Sequence, residues 1–290
     1  MIWLILTTLS TTGIFVLFKI LDKTKTPLFN AIIINYIIAS IFGFWLTGSI
    51  SVNTIINSEW LNQSIIIGIL FIILFFLVGL SSQKVGISIT TVASKMSVVL
   101  PMIFAIWAFN EMIGIIKIFG IIAAMVAVSL SVYKKPDKKG NLKLILILLP
   151  LLLFVGMGIV DSAVIYSKEH YVDDSLASVF SATVFSFALL SGLIFSIFRP
   201  KIFRNFLSLK LWILGAALGI VNFGSIYLMI KALNSGVFQN SVVYGIANIG
   251  IVSLSVIIGT LFFKEKLSII NKVGIVLSIF AIGLLTIADI

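Results

Sequence analysis

The chain has 290 residues, of which 60% are hydrophobic and about 10% are charged. A soluble domain carries roughly 25% charged residues, so the composition excludes a soluble enzyme and a soluble nucleic-acid binder. The net charge of +10 is better explained by cationic loops beside a membrane than by nucleic acid. The chain has no Cys and one His, which excludes disulfides and metal sites built from several Cys or His residues.

Ten hydrophobic runs follow one another along the chain. Each is close to the ~20 residues that a helix needs to span a bilayer. Strands of a membrane barrel would alternate polar and apolar residues, and these runs do not. The sequence therefore predicts an all-α integral membrane protein with ten transmembrane helices, the first of them a membrane helix rather than a signal peptide. The runs cover about 2–21, 28–48, 62–83, 88–109, 114–133, 142–166, 175–198, 210–231, 237–262 and 269–288.

The Lys and Arg residues are distributed unevenly between the two sides of this predicted bundle. Loops after odd-numbered runs hold 16 of the 20, and the opposite loops hold three. Because cytoplasmic loops carry the excess of positive charge, both termini are predicted to lie outside the cytoplasm. The expected location is the plasma (inner) membrane, with multiple spans.

A repeated motif divides the chain into two halves. Phe-Asn-Glu at 109–111 and Gly120 are matched, 154 residues later, by Phe-Lys-Glu at 263–265 and Gly274. The sequence predicts a first repeat over 1–133, a basic linker over 134–141 and a second repeat over 142–290. Five helices in each half is an odd number, so the second half would insert upside down relative to the first. Such inverted repeats are typical of secondary transporters.

Two five-helix repeats, each with a Glu after its fourth helix and a Gly nine residues later, resemble the EamA-type branch of the drug/metabolite transporter superfamily. Residues 93–101, which end in Pro101 ten residues before Glu111, resemble the same family, whereas Ser255 stands at the equivalent of Pro101 in the second half. The resemblance implies a carrier of small organic solutes that works without a cofactor. It also implies a central cavity lined by the first, third and fourth helices of each half. The family's termini are associated with the cytoplasm, so the charge count departs from it.

Ionisable residues inside a membrane span are costly and mark candidate sites. Lys95 in the fourth run, beside Ser94 and Ser97, is predicted to bind a substrate carboxylate or phosphate. The alternatives are a lysine that snorkels to the interface and a fixed structural ion pair. Asp161 in the sixth run is the candidate partner of Lys95 and the candidate group for proton coupling. Its alternative is a polar residue near a helix end that faces the outer water.

The second half offers weaker candidates for substrate binding. The repeat makes Asn248 the counterpart of Lys95, and Tyr244 lies one turn before it in the ninth run. Asn222 and Tyr227 in the eighth run are candidates of the same kind. Their alternative role is a hydrogen bond between helices. The small-residue motif at 215–219 predicts helix packing within the bundle.

Glu111 and Glu265, with Gly120, Gly274 and Pro101, are expected to form a structural motif. Each Glu is predicted to accept N–H groups at the start of the following helix, and gating is the alternative role. No catalytic residue, metal ligand or phosphate-binding loop is recognised, so the chain is not expected to be an enzyme.

The expected partners are a small-molecule substrate, an amino acid or another carboxylate-bearing solute, and the lipid bilayer. No nucleic-acid partner is expected, and the chain is expected to be a monomer or a homodimer. Two other functions stay open from the sequence. One is a membrane assembly protein that transports nothing, and the other is a membrane-embedded enzyme acting on lipids near residues 170–174. A lipid scramblase is a variant of the carrier hypothesis.

Overall fold

The structure is a computed structural model that describes residues 1–47, 52–100, 102–104, 114–133, 144–172, 176–198, 205–233, 235 and 240–288. These residues form helices, and no strand occurs among them. Pro101, Glu111 and the predicted linker at 134–141 lie outside the described residues. The main helices are α1 (Ile2–Lys23), α2 (Leu28–Thr47), α3 (Leu61–Lys84), α4 (Ile87–Met96), α5 (Ile115–Val132), α6 (Ile145–His170), α7 (Ala177–Ile197), α8 (Leu209–Leu233), α9 (Asn240–Leu261) and α10 (Ile269–Ala288).

Within the described residues, eight helices are long and apolar enough to cross a membrane. They are α1, α2, α3, α5, α6, α7, α8 and α10. The apolar part of α9, Gly245–Leu261, is shorter, and α4 covers ten residues before a separate helical turn at 102–104. The predicted all-α membrane fold is thus confirmed, and the count of ten spans stays a prediction. A short helix, Val52–Ile56, precedes α3 and was not predicted.

The outward faces of the helices are apolar, as lipid requires. On α5, Ile115 is 73% exposed and Phe119 is 64% exposed, while the opposite face buries Gly120, Ala124 and Ala127. Lipid tails are as apolar as these side chains, so helix association depends on close packing of small residues. The small face of α5 is therefore the face that meets another helix.

α5 packs along α10 through two glycines. A Cβ at Gly120 would lie 2.7 Å from the side chain of Leu285, and a Cβ at Gly274 would lie 2.9 Å from the carbonyl oxygen of Ala127 and against the backbone of Ser131. Gly120 and Gly274 are 154 residues apart, and so are Ser131 and Leu285. The two contacts are therefore equivalent under the offset found in the sequence.

Several other helix pairs match when each helix is replaced by the helix five positions away in the chain. α1 packs on α8 as α6 packs on α3, and α2 packs on α8 as α7 packs on α3. α1 packs on α9 as α6 packs on α4. Other pairs are not matched: α1 packs on α3 and α4, and α2 packs on α3, whereas in the described residues α6 makes at most isolated contacts with α8 and α9, and α7 with α8.

The small-residue motif of α8 packs inside the bundle, as predicted. A Cβ at Gly215 would lie 2.7 Å from the Ile34 side chain, and one at Gly219 would lie 2.7 Å from the Ile38 side chain. Both contacts are with α2, so this motif brings two helices together within one chain. Small residues allow such close approach of helix backbones.

Candidate functional site

The site is built on α4, which lies in the interior of the bundle. α4 contacts helices from both halves, among them α3, α6, α9 and α10. Ser94 and Ser97 are buried, at 5% and 1% exposure, and Lys95 between them is half-buried. The sequence thus places one cation among small hydroxyl groups on an internal helix.

Asp161 of α6 lies against this part of α4. Its Oδ2 atom is 3.5 Å from Ser97 Oγ, and Asp161 is half-buried. The Ser97 hydroxyl donates to the carbonyl oxygen of Ser94 at 2.6 Å, so its single proton is engaged there. The aspartate is therefore an interior group on the side of α4, and the alternative of a helix end facing outer water is not supported.

Lys95 and Asp161 attract each other electrostatically, yet they do not form a direct ion pair. In the part of the chain that the structure describes, the Lys95 ammonium has no carboxylate oxygen within 4.0 Å and no hydrogen bond. An ammonium carries three donors, and a buried charge without a partner is costly. The alternative of a fixed structural ion pair at this position is therefore not supported.

Another hydroxyl group, that of Ser94, lies on α4 next to Lys95. The buried Oγ atom of Ser94 has no hydrogen-bond partner within the described residues. The arrangement can thus offer a solute one cation, one carboxylate and one hydroxyl. Among the described residues no group of three His, Asp or Glu side chains converges in the way that a metal ion needs.

An open cavity of about 570 Å³ lies between α3, α6 and the segment after α4 that contains Leu100 and Phe104. Its wall is mostly apolar, with Ser162, the residue after Asp161, among its few polar groups, and its rim includes exposed residues such as Ile159. α6 comes close to the segment after α4 because Gly158 has no side chain: a Cβ there would lie 2.6 Å from Leu100 Cβ. The cavity therefore adjoins Asp161 on α6, while neither Asp161 nor Lys95 lines it. The remaining lining residues include Gln63, Ile66, Ile67, Val155, Ala163, Tyr166 and Ser167.

Two of the predicted residues in the second half, Asn222 and Tyr227, contact other groups. The Asn222 amide lies 3.1 Å from the amide of Asn35, which in the orientation that satisfies its neighbours also donates to the Leu218 carbonyl oxygen at 3.2 Å. This contact joins α8 to α2. Tyr227 stacks on Phe223 at a ring distance of 5.9 Å. Asn222 thus fits its alternative role as a bond between helices.

Asn248 of α9 is half-buried, and in the described part of the chain its amide makes no hydrogen bond. Its predicted role as counterpart of Lys95 stays a prediction. Tyr244 belongs to α9, but its side chain lies outside the described residues.

Glu265 does not cap the helix that follows it. Its carboxylate accepts the backbone N–H of Ile87, and at 3.1 Å the backbone N–H of Ser88, at the start of α4. The start of α10 is capped instead by Ser268, whose Oγ accepts the N–H of Asn271 at 3.1 Å. Glu265 therefore accepts backbone N–H groups at a helix start, as predicted, but the helix is α4 and not α10. The reason is that the loop after α9 folds back onto α4.

Sequence reasoning also missed Asn271. Its Nδ2 group donates to the carbonyl oxygens of Leu130, Ser131 and Tyr133 at 3.3, 2.7 and 2.9 Å. These carbonyl groups lie at and just after the end of α5, where the last carbonyls of a helix have few intrahelical donors. The sequence did contain a sign of this role, because Asn271 is a polar residue near the start of the apolar run 269–288.

Comparison with known proteins finds a relative of similar length but no family. No family model matches the chain. An uncharacterized protein of Haemophilus influenzae is 29% identical over 288 residues, which cover 96% of this chain and 95% of that protein. The similarity therefore extends over the whole bundle, including both halves. Fold and composition together define the chain as a multi-span helical membrane protein.

Proposed function

We propose that the chain is a secondary carrier that moves a small organic solute across the membrane by alternating access. The observation that carries the proposal is the pair of Lys95 and Asp161. They lie on the neighbouring helices α4 and α6, attract each other electrostatically and do not form a direct ion pair. Ionisable residues inside membrane helices mark substrate and ion pathways, and a gap between two opposite charges leaves room for a ligand.

The proposed architecture is ten transmembrane helices in two inverted repeats, 1–133 and 142–290, as in the EamA-type drug/metabolite transporters. The equivalent contacts of Gly120 and Gly274 support it. So does the exchange of helix pairs when the two halves are interchanged. Two similar halves of opposite orientation can rock about a shared site and open it to either side in turn.

The proposed substrate class is a small solute with an anionic group, such as an amino acid or another carboxylate. Lys95 would bind the carboxylate, and in an amino acid Asp161 would bind the amine. The apolar cavity that adjoins Asp161 would receive the apolar part of the solute. Proton coupling through Asp161 and facilitated diffusion are both compatible with this site.

The proposed location is the plasma (inner) membrane with both termini outside the cytoplasm. This rests on the excess of Lys and Arg in the odd-numbered loops. Under this proposal the junction between α3 and α4, with Lys84, faces the cytoplasm.

The test is a thermal-stability screen of the purified protein against amino acids, organic acids, nucleosides and sugars. A ligand that binds only the folded state stabilises it by about 2.7 kcal/mol at 100 times its Kd, which raises the melting temperature. We expect carboxylate-bearing solutes to stabilise the wild type and the control Lys272→Ala, whose lysine is exposed. The stabilisation should be absent in Lys95→Ala.

Each other outcome points elsewhere. Stabilisation that survives in Lys95→Ala would keep the carrier and remove Lys95 from its site. If no solute stabilises the wild type and no flux is found in liposomes, the assembly-protein hypothesis is favoured, and lipid scrambling is the next assay.

A further inference from the structure

We propose that Glu265 is a latch between the two halves, and that it holds the carrier closed at the end of the bundle where α3 meets α4. The inference rests on the proposed carrier function, because a latch has a role only in a molecule that opens at that end. The loop after α9 lies here on the start of α4, 177 residues earlier in the chain.

The latch consists of three hydrogen bonds to one carboxylate. Glu265 accepts the N–H of Ile87, the N–H of Ser88 at 3.1 Å and the hydroxyl of Ser88 at 2.7 Å. The first N–H groups of a helix have no intrahelical acceptor, and the helix dipole favours a negative charge there. Hydrogen bonds to an ionised group are about twice as strong as those between neutral groups. The hydrogen bonds and the attraction to the helix dipole therefore both join a residue of the second half to a helix of the first.

Two glycines shape the space for this carboxylate. Gly86 has a φ of 122°, a backbone conformation that side chains other than hydrogen rarely allow. A Cβ at Gly259 would lie 2.6 Å from Glu265 Oε2 and 2.7 Å from Ser88 Oγ. Any larger residue at either position would displace the carboxylate. The contact is therefore built from both sides, with one glycine in each half.

Other polar contacts at this end lie both within the first half and between the halves. Lys19 donates to the carbonyl oxygens of Ser82 and Gln83 at 3.2 and 2.8 Å, and Gln83 donates to the carbonyl oxygen of Phe18 at 3.2 Å, so these bonds join α1 to the end of α3. Between the halves, Asn271 donates to carbonyl oxygens at the end of α5, and Lys210 donates to the carbonyl oxygen of Thr24 at 2.7 Å. Glu265 differs from these groups because it is a carboxylate bound to the start of α4.

The helix whose start Glu265 binds is packed against helices of both halves. α4 contacts α3 and α6, and it also contacts α9 and α10, the two helices that flank the loop of Glu265. α4 also carries Lys95, eight residues or about 12 Å beyond Ile87 along the helix. The latch thus fixes the start of the helix that bears the proposed binding residue.

The test uses cysteine accessibility, since the chain contains no Cys. Thr91 is fully buried one helical turn after Ile87, at the start of α4. The variant Thr91→Cys is the reporter for this end of the bundle. Ser162→Cys in the wall of the cavity is the second reporter. Each reporter is combined with Glu265→Ala, with the milder Glu265→Gln, and with the control Lys266→Gln on an exposed neighbour. The labelling rate by a maleimide is measured in lipid nanodiscs, with a melting curve for every variant.

We expect Glu265→Ala to raise the labelling rate of Thr91→Cys about tenfold or more, as expected for the loss of charge-assisted hydrogen bonds. Glu265→Gln should raise it less, and Lys266→Gln should leave it unchanged. Because the two ends open in alternation, labelling of Ser162→Cys should fall by several fold in the same variants.

Two results would overturn the latch. One is an unchanged rate for Thr91→Cys in both Glu265 variants. The other is a rise at both reporters, which indicates loosening of the fold rather than alternation. If Glu265→Ala does not fold, Glu265→Gln and Ser88→Ala, each of which removes only part of the contact, decide the matter. Reciprocal labelling in a protein without measurable flux would leave the latch standing and remove the carrier function, so the two failures are distinguishable.

Discussion

Lys95 and Asp161 face each other across α4 and α6 without touching, and Ser97 lies at 3.5 Å from the carboxylate. A contact ion pair would give each charge a partner, whereas this arrangement leaves the ammonium without one among the described residues. Removing a charge from water without a partner costs free energy. The pair is therefore not explained by stability, and this agrees with the solute binding that we propose for it.

The first prediction concerns the carboxylate of this pair. In liposomes, Asp161→Asn should retain part of the solute flux but lose its dependence on a proton gradient, because the amide cannot exchange a proton. Flux is measured with and without an imposed gradient. The control is Asp22→Asn, at an exposed residue in the last turn of α1. An unchanged proton dependence in Asp161→Asn would remove this residue from proton coupling.

The second prediction concerns the cation. Solutes that bear a carboxylate should bind Lys95→Met at least tenfold more weakly than the wild type, because hydrogen bonds to a charged group contribute about 1.5–3 kcal/mol. Solutes without an anionic group should bind both proteins equally. Isothermal titration with one ligand of each kind separates these cases. Equal weakening of both kinds would indicate damage to the fold.

The third prediction concerns the seam between α5 and α10. Gly274→Ala should lower the free energy of unfolding by about 1–3 kcal/mol, the usual cost of overpacking, because its Cβ would press on the backbone of Ser131. Gly283→Ala on the same helix has open space around it and should be neutral or stabilising by up to about 1 kcal/mol. Thermal melts of both variants make the comparison. A neutral Gly274→Ala would contradict the packing described for this pair.

The fourth prediction concerns Asn271. Asn271→Asp keeps an acceptor for Ser268 but removes the donor to three carbonyl groups at the end of α5. We expect a loss of about 1–3 kcal/mol, the cost of leaving buried polar groups unpaired. Lys272→Ala, at the exposed next position, should melt like the wild type. A melting temperature equal to that of the wild type in Asn271→Asp would show that the cap contributes little.

The fifth prediction concerns orientation. A reporter that is active only outside the cytoplasm should be active when fused after Ile290, because the odd-numbered loops carry most of the Lys and Arg. A fusion in the loop after α3 serves as the control and should be inactive. An expressed but silent fusion after Ile290 would reverse the predicted orientation.

Much of the fold could be predicted because lipid imposes the length of each helix. The run predicted at 269–288 coincides with α10, and that at 28–48 differs from α2 by one residue. The run at 88–109 did not become one continuous described helix. The short Val52–Ile56 helix was missed because five residues carry no periodic signal.

The site was predictable only in part. Lys95, Ser97 and Asp161 could be named because a polar group in an apolar run is conspicuous, and the structure brings these three together. The contact between Glu265 and Ser88 could not be foreseen. Hydrogen bonds between segments 177 residues apart depend on how the helices pack, and a single sequence does not contain that information. The role of Asn222 in solute binding stays a prediction, because an amide that binds a solute and one that binds Asn35 look the same in sequence.

The seam between α5 and α10 also has a consequence for synthesis. α10 follows α5 by about 154 residues, and translation at roughly 5–20 residues per second delays it by about 8–30 s. During that interval the glycine-bearing face of α5 has only lipid or other helices against it. Two nascent chains that insert side by side could exchange their second halves, each α5 then receiving the α10 of its neighbour. Such domain-swapped dimers use the same contacts as the monomer. They would therefore form when ribosomes are crowded on one messenger RNA, without any change in the surface of the mature protein.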